Sequence, residues 1–379
     1  MPASQQRPAM TIQLFRPQIR EEAITAVSEV LRSGWIGLGP KTAEFERTFA
    51  AYTGARYCVG VNSGTSALHI ALHLLRLPAG SEVITTPLTF ISTNHAILYE
   101  GLQPVFADVE PHTGNLDVAD VARRITDRTG AIVLVHYGGY PCDLDAFYAL
   151  ARAHHLPIIE DCAHACGARY HGQPIGSHGD YHAFSFQAVK NLTMGDGGAL
   201  TLSDPADEAR ARKLRFLGIE HSAYQRNATA VSPSARWEYQ IEEVGFKYYM
   251  NDIQAALGLA QLPFLDEENA YRARLVALYR QELTGVTGVE LLQYADDRES
   301  SHHLCCILVE ARERLAEKLQ AHGVEVTLHY RRNDDYPMYQ RCELPHVADF
   351  TARAMTLPLH LGLTEDDIYY VTALIREGW

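Results

Sequence analysis

The pattern of hydrophobic and polar positions alternates between strand-like and helix-like periods over the first two thirds of the chain. Short apolar runs predict buried strands at 57–61, 82–85, 103–108, 131–136, 158–161, 182–185 and 199–202. Apolar residues spaced three and four apart predict helices at 21–32, 41–52, 66–75, 90–98, 116–124 and 144–155. Strands that alternate with helices of this length indicate βαβ units. We therefore expect an α/β fold with a mostly parallel sheet that helices cover on both faces.

The pattern changes after about residue 255. A long helix over 251–279 is expected to lead into strands at 289–293, 305–309 and 324–328 and helices at 312–322 and 364–376. There is no internal repeat and no stretch with the composition of a flexible linker. The prediction is two packed domains: a large one over 15–255 and a smaller C-terminal α/β domain over 256–379.

Composition narrows the class of protein. The chain has 379 residues, of which 47% are hydrophobic and 21% charged, as in ordinary soluble globular proteins. A net charge of -13 argues against a nucleic-acid partner, and no apolar run approaches the 18 residues of a membrane span. Seven scattered cysteines indicate reduced thiols in the cytoplasm, and the groups of His and Cys at 162–166 and 302–306 lack paired zinc-ligand spacing. We expect no metal.

One lysine stands in an unusual setting. Lys190 ends the segment Phe-Ser-Phe-Gln-Ala-Val-Lys and precedes a glycine-rich turn, while Asp161 closes the apolar run 156–160. A lysine amine, a strand-end carboxylate and the hydroxyl of Ser185 are the groups needed to hold pyridoxal phosphate (PLP). Taken singly, the lysine could be a surface residue in a loop and the carboxylate could be structural.

Three further features fit the same cofactor. Gly64 and Thr65 lie where a strand ends and a helix begins, so free N–H groups there could bind a phosphate, or the segment could be a plain N-cap. His164 could reach the cofactor ring oxygen, or be a histidine satisfied at a helix start. Phe90 could stack on the ring, or belong to the core. The glycines at 34–41 match neither a dinucleotide fingerprint nor a P-loop, and there is no Gly-x-Ser-x-Gly elbow of a serine hydrolase.

These motifs, in this order and at these spacings, resemble the DegT/DnrJ/EryC1/StrS family of PLP-dependent sugar aminotransferases. The resemblance runs from about residue 24 to the C-terminus. The matching segments are 39–40 with 45–46, 62–68, 82–87 with 89–90, 104–109, 160–164 with 167, 184–186 with 190–191, and 252–258. The family implies the aspartate aminotransferase-like fold type I of PLP-dependent transferases. It also implies a homodimer whose active sites lie at the subunit interface.

The resemblance assigns a role to each candidate residue by position. It implies that Lys190 forms the imine with PLP, that Asp161 pairs with the pyridine nitrogen, and that His164 lies near the ring oxygen. Phe90 takes the place of the stacking aromatic residue. The implied phosphate contacts are Gly64, Thr65, Ser185 and, from the neighbouring subunit, Lys247. Two segments depart from the family pattern: Tyr249 replaces a family arginine, and the polar run 331–335 after His329-Tyr330 replaces apolar residues and proline.

The activity implied by the resemblance is amino transfer in two half-reactions. L-Glutamate gives its amino group to the cofactor, which becomes pyridoxamine phosphate, and a nucleotide-linked 3- or 4-keto-deoxysugar then receives the group. An aminocyclitol transaminase acting on a keto-inositol remains an alternative. A dehydratase of the same fold is disfavoured, because that branch replaces the imine lysine by histidine. A non-catalytic regulator of the same fold is the alternative from another class, and the intact lysine, aspartate and phosphate set argues against it.

Overall fold

The computed structural model of the protein describes residues 11–220 and 240–379. The strands are β1 Tyr57–Val61, β2 Glu82–Thr85, β3 Gln103–Phe106, β4 Thr129–Val135, β5 Ile158–Asp161, β6 Arg169–Tyr170, β7 Gln173–Pro174, β8 Tyr181–Ser185, β9 Gly198–Leu202, β10 Val289–Leu291, β11 Arg298–Glu299, β12 Cys305–Val309 and β13 Ala354–Leu357. The helices are α1 Glu21–Ser33, α2 Pro40–Thr53, α3 Gly64–Leu74, α4 Ile91–Tyr99, α5 Val118–Arg124, α6 Leu144–His154, α7 Pro205–Leu214, α8 Asp252–Gln261, α9 Leu265–Leu283, α10 Arg312–Ala321, α11 Pro345–Arg353 and α12 Glu365–Arg376.

The large sheet has seven strands in the order β1-β9-β8-β5-β4-β2-β3. Its central part is parallel, since β3, β2, β4, β5 and β8 pair parallel to one another in that sequence. Only β9 runs against its neighbours β8 and β1. The predicted α/β fold with a mostly parallel sheet is confirmed. Since β1, β5 and β8 point the same way, the residues that follow them meet at one edge of the sheet.

Two buried apolar cores cover the two faces of this sheet. One lies among α2, α6 and the strand residues Ile84, Ile132 and Phe184. The other lies between α3, α4, α7 and the opposite strand faces. Because both faces of each strand are buried, the strands are continuous apolar runs without alternating polar residues. Among the described residues, no helix is long and apolar enough to cross a bilayer.

The prediction of one continuous helix over 251–279 is wrong. The structure divides it into α8 and α9, joined by a tight 3-10 turn at Leu262–Phe264. Pro263 causes the break, because proline has no N–H to donate and its ring clashes with the carbonyl four residues earlier. Asn251 caps α8 in a complete capping box with Gln254.

The prediction of a strand at 324–328 is also wrong. Its residues make single bridges, Val324 to Ile12 and Thr327 to Thr356, and the third strand of the small sheet is β13 instead. Every residue of β13 is buried, whereas in 324–328 only Val324 is buried and the rest alternate between exposed and half-buried positions. A segment that is half exposed gains less from sheet pairing than one that is buried throughout. The small sheet therefore has the order β10-β12-β13.

The third apolar core lies between the small sheet, α9, α10 and α12, and includes Ile12 from the N-terminal segment. The division of the chain at residues 255 and 256 stays a prediction. Leu262 and Leu265, which follow that boundary, pack with the core of the large sheet.

Candidate active site

A cavity of about 410 Å³ opens at the edge of the large sheet where β1, β5 and β8 end. The carboxyl ends of parallel strands are the usual place for ligands in such sheets. Seven of the eight predicted site residues line it: Gly64, Thr65, Phe90, Asp161, His164, Ser185 and Lys190. The structure therefore brings together residues that lie up to 126 positions apart in the sequence, from 64 to 190.

Asp161 reaches the cavity because it is the last residue of β5. Side chains alternate along a strand, so Glu160 points to the other face, where it accepts a hydrogen bond from Tyr148 and lies 2.8 Å from His136 Nε2. Asp161 Oδ2 accepts a hydrogen bond from Thr93 Oγ1 at 2.7 Å, and Oδ1 accepts one from the backbone N–H of Ala163 at 3.0 Å. Burial raises the pKa of Asp161, although both hydrogen bonds and the charge of Lys190 oppose that rise. A cationic ligand group at this carboxylate would therefore be favoured.

Lys190 lies in the loop between β8 and β9, with Nζ 3.4 Å from Nε2 of His303. Burial lowers the pKa of Lys190 to about 8, and the negative charge of Asp161 opposes this shift. An amine with a lowered pKa has a larger neutral fraction near neutral pH, and only the neutral amine is a nucleophile.

The N-terminus of α3 forms one wall of the cavity. The side chain of Ser63 caps this helix by accepting a hydrogen bond from the N–H of Ser66 at 3.1 Å. The N–H groups of the first helical residues, Gly64 and Thr65, have no partner within the helix and can bind an anion. A Cβ on Gly64 would lie 2.8 Å from Cβ of Ser185, so glycine permits the close approach of this helix to the end of β8.

Replacing Gly198 by alanine is expected to destabilise this wall. The added Cβ would overlap the carbonyl carbon and oxygen of Ser63, which are backbone atoms that cannot rotate away. We expect a loss of roughly 1–3 kcal/mol in the free energy of unfolding, measured by urea denaturation. Gly37→Ala is the control, because a Cβ there meets no atom of residues 11–220 or 240–379 within 4 Å. Equal unfolding midpoints for the two variants would contradict the prediction.

His164 and Phe90 both line the cavity, and both lie beside Tyr330. The Nε2 atom of His164 lies 2.9 Å from the Tyr330 hydroxyl, and its Nδ1 atom is buried without a hydrogen-bond partner among the described residues. Phe90 is 57% exposed, which is unusual for phenylalanine, and its ring centroid lies 6.0 Å from that of Tyr330. An exposed aromatic face and an unsatisfied imidazole nitrogen are both suited to a flat heteroaromatic ligand.

Lys247 is the predicted residue that lies elsewhere. Its side chain is exposed, with Nζ 4.8 Å and 5.2 Å from the ring centroids of Tyr249 and Phe216, and it does not line this cavity. The resemblance places its contact in a neighbouring subunit, and that role stays a prediction.

The polar run 331–335 packs against the segment that carries Phe90. Arg332 and Asp334 are both buried and form an ion pair, with Nε 2.7 Å from Oδ1. The side chain of Asn333 donates hydrogen bonds to the backbone oxygen of Thr89 at 3.0 Å and to Asn94 at 2.6 Å. These polar residues therefore fix the loop that carries Tyr330 against the start of α4.

Two residues of the site, Thr93 and His303, were missed by sequence reasoning about the cofactor. Tyr330 was noted only because His329-Tyr330 resembles a segment near the sugar site of the family. Thr93 follows Thr89 by one helical turn, and a polar pair on one face of a predicted helix start was a usable sign. His303 comes from the start of the small sheet, 113 residues after Lys190. No local pattern in the sequence indicates this contact, because only the packing of the small sheet against the large one creates it.

Comparison with known proteins identifies the class of enzyme. The sequence profile of the DegT/DnrJ/EryC1/StrS aminotransferase family matches residues 17–376. The spore coat polysaccharide biosynthesis protein SpsC of Bacillus subtilis is 37% identical, over 95% of each chain. Among solved structures, AtS13 from Actinomadura melliaura is 42% identical with a TM-score of 0.92, over 98% of this chain and 100% of that one.

The sugar aminotransferase CalS13 from Micromonospora echinospora is 37% identical with a TM-score of 0.90, over 97% of this chain and 100% of that one. Both structures share the fold at an identity well above what a common architecture alone produces. The chain belongs to the DegT/DnrJ/EryC1/StrS aminotransferase family and is a PLP-dependent sugar aminotransferase of fold type I.

Proposed function

We propose that this enzyme moves the amino group of L-glutamate to a nucleotide-linked 3- or 4-keto-deoxysugar. The observation that carries the proposal is that one cavity is lined both by Lys190, an amine whose pKa is lowered, and by the buried carboxylate of Asp161. An amine and a carboxylate so placed suit a cofactor that needs a covalent anchor on one side and a counter-charge on the other.

The cavity fits PLP by the chemistry of its groups. A protonated ring nitrogen facing Asp161 would compensate a carboxylate that burial otherwise penalises. The N–H groups of Gly64 and Thr65 with the hydroxyl of Ser185 would bind the phosphate, and the exposed face of Phe90 would cover the ring. The unpartnered Nδ1 of His164 leaves that side chain a polar atom to offer the ring substituents. When bound, PLP supplies an electron-withdrawing ring that stabilises negative charge on the substrate carbon.

Lys190 is proposed to act twice. Its Nζ atom first anchors the cofactor, and the amino donor then displaces it. As a free amine, Nζ would take a proton from the α-carbon of the donor and so act as a general base. It would then return the proton to the carbon on the other side of the transferred nitrogen and so act as a general acid. A pKa near 8 suits both tasks, since it allows the amine to gain and lose a proton close to neutral pH.

Transfer of a nitrogen label tests the proposed substrates. The enzyme, PLP and ¹⁵N-glutamate are incubated with nucleotide-linked 3-keto and 4-keto sugars and, separately, with a keto-inositol. We expect the label in an amino sugar, detected by mass spectrometry. Label appearing only in the cyclitol would replace the sugar-nucleotide proposal by the aminocyclitol one.

We also propose a homodimer with shared active sites. Ile24 and Leu31 on α1 are 47% and 54% exposed, and Val244 is 86% exposed, so apolar surface remains for a second copy to cover. Lys247 does not line the cavity of its own chain, so a contact from this lysine to the cofactor would have to be made in a neighbouring copy. For the location we propose the cytoplasm, since all seven cysteines are free thiols and six of them are buried.

Mixed subunits test the shared site. Lys190→Ala and Lys247→Ala chains are each expected to be inactive or weak alone. After unfolding and refolding together in equal amounts, half the dimers carry one site with both native lysines, so roughly a quarter of wild-type activity should return. The control is each variant refolded alone. Activity of the mixture equal to the mean of the two variants would rule out lysines acting across subunits.

A further inference from the structure

His303 contacts the reactive amine from the side of the small sheet. Its ring is buried, 3% exposed, and Nε2 lies 3.4 Å from Nζ of Lys190. The backbone N–H of His303 donates to the carbonyl of Gly138 at 3.0 Å, which ties the segment before β12 to the end of β4. The ring of Phe15 lies almost parallel to the imidazole at a tilt of 8°, and the ring of His164 lies 4.4 Å away. Contacts with these two rings therefore restrict the orientation of the imidazole.

A chain of amide groups determines which nitrogen of His303 carries hydrogen. The side-chain Nδ2 of Asn191 donates to the backbone carbonyl of Ser301 at 2.7 Å and to Oδ1 of Asn269 at 2.8 Å. The Nδ2 of Asn269 donates in turn to the backbone carbonyl of Cys166 at 3.0 Å. Because backbone carbonyls only accept hydrogen bonds, both amides have a single consistent orientation.

That orientation leaves Oδ1 of Asn191 facing Nδ1 of His303 at 3.1 Å. An amide oxygen only accepts, so Nδ1 of His303 must carry the hydrogen. In a neutral imidazole the other nitrogen then has a lone pair, and Nε2 presents it to Lys190. The Lys190 amine is therefore the donor in this contact.

Burial, and after it the neighbouring charges, keep His303 neutral. Burial lowers the pKa of His303 well below its usual value, and the nearby Lys190, His164, His329 and Arg272 all act in the same direction. Around Lys190, the Asp161 carboxylate favours the charged ammonium and burial disfavours it. His303 thus accepts a hydrogen bond from Lys190 without competing for its proton.

We propose that His303 is a positioning residue that holds the free amine of Lys190 while that amine moves a proton. The inference rests on the proposed role of Lys190. An amine bonded to the cofactor has fewer N–H groups to donate, so the contact is needed most in the states in which Lys190 has been displaced. Asn191 and Asn269 act one step further away, by fixing the imidazole.

Labelling of the amine in the full-length, cofactor-free chain tests the contact directly. The pH dependence of Lys190 acetylation by acetic anhydride, followed on its tryptic peptide by mass spectrometry, gives the pKa of this amine. His303→Phe keeps the ring volume but removes the acceptor, so the ammonium loses a hydrogen bond and the pKa should fall by about one unit. His303→Gln retains an acceptor and should restore most of the wild-type value. His302→Phe is the matched control, since His302 packs against Tyr294.

The loaded enzyme gives a second readout. In His303→Phe, kcat of the glutamate half-reaction should fall at least about tenfold, while KM changes less than about threefold, because the lost contact is to the amine that carries the proton. His303→Leu carries the same expectations if His303→Phe does not fold. An unchanged Lys190 pKa and unchanged kcat in the apolar variants would overturn the inference. If the wild type itself shows no reaction with PLP and glutamate, the proposed role of Lys190 fails instead, and the two failures are thereby distinguished.

Discussion

Replacing Lys190 by alanine is expected to lower amino transfer by more than about a thousandfold, because one change removes both the covalent anchor and the proton carrier. The purified wild type should show a yellow absorbance band with PLP that bleaches when L-glutamate is added. In Lys190→Ala the band should be altered, and glutamate should not bleach it at the wild-type rate. The measurement is the absorbance spectrum before and after glutamate, with stopped-flow mixing for the rate.

The control for this variant is Lys41→Ala. Lys41 lies at the start of α2, where its amine pairs with Glu44 at 2.8 Å, and it is not one of the residues that line the cavity. Its band and bleaching rate should equal those of the wild type. A wild type that stays colourless after addition of PLP would refute the proposed cofactor site. A Lys190→Ala variant that turns over normally would refute the proposed role of the lysine alone.

Replacing Asp161 by asparagine is expected to separate activity from stability. Asparagine keeps the size of the side chain, and its Oδ1 can still accept from the backbone N–H of Ala163 while its Nδ2 donates to Thr93 Oγ1. It removes the negative charge that we propose to face the ring nitrogen. Amino transfer should fall roughly 10²–10³-fold, as when one group aimed at developing charge is lost. Asp145→Asn, at an exposed position on α6, should leave the rate unchanged.

The stability of the cofactor-free Asp161→Asn chain should not fall. Burial raises the folded-state pKa of Asp161 above its ordinary value, so the folded state binds the proton more tightly than the unfolded state. The carboxylate therefore opposes folding at pH 7, above the ordinary pKa, and asparagine removes that penalty. Thermal unfolding should give a Tm equal to or above that of the wild type at pH 7, with the difference shrinking as the carboxyl becomes protonated at acid pH. A Tm several degrees lower would show that the charge is structural.

Individual elements show how far local pattern determines a fold. The strands of the large sheet were predictable because each is buried on both faces and so appears as a continuous apolar run between turn residues. The long helix over 251–279 was mispredicted because its apolar periodicity continues through Pro263, and the break depends on one missing N–H rather than on hydrophobicity. The small sheet was mispredicted at 324–328 because an alternating segment can pair or stay single, and only the neighbours available at the sheet edge decide which.

The sequence by itself determined the α/β class, the family, and the residues that meet at the carboxyl edge of the sheet. It could do so because parallel strands place the ends of distant segments together, and because chemically distinctive residues follow those ends. Only the tertiary structure decided that Phe90 is exposed and that His303 contacts Lys190. These are consequences of how the small sheet and the helices pack against the large sheet. Packing between segments more than a hundred residues apart leaves no periodic trace in the sequence.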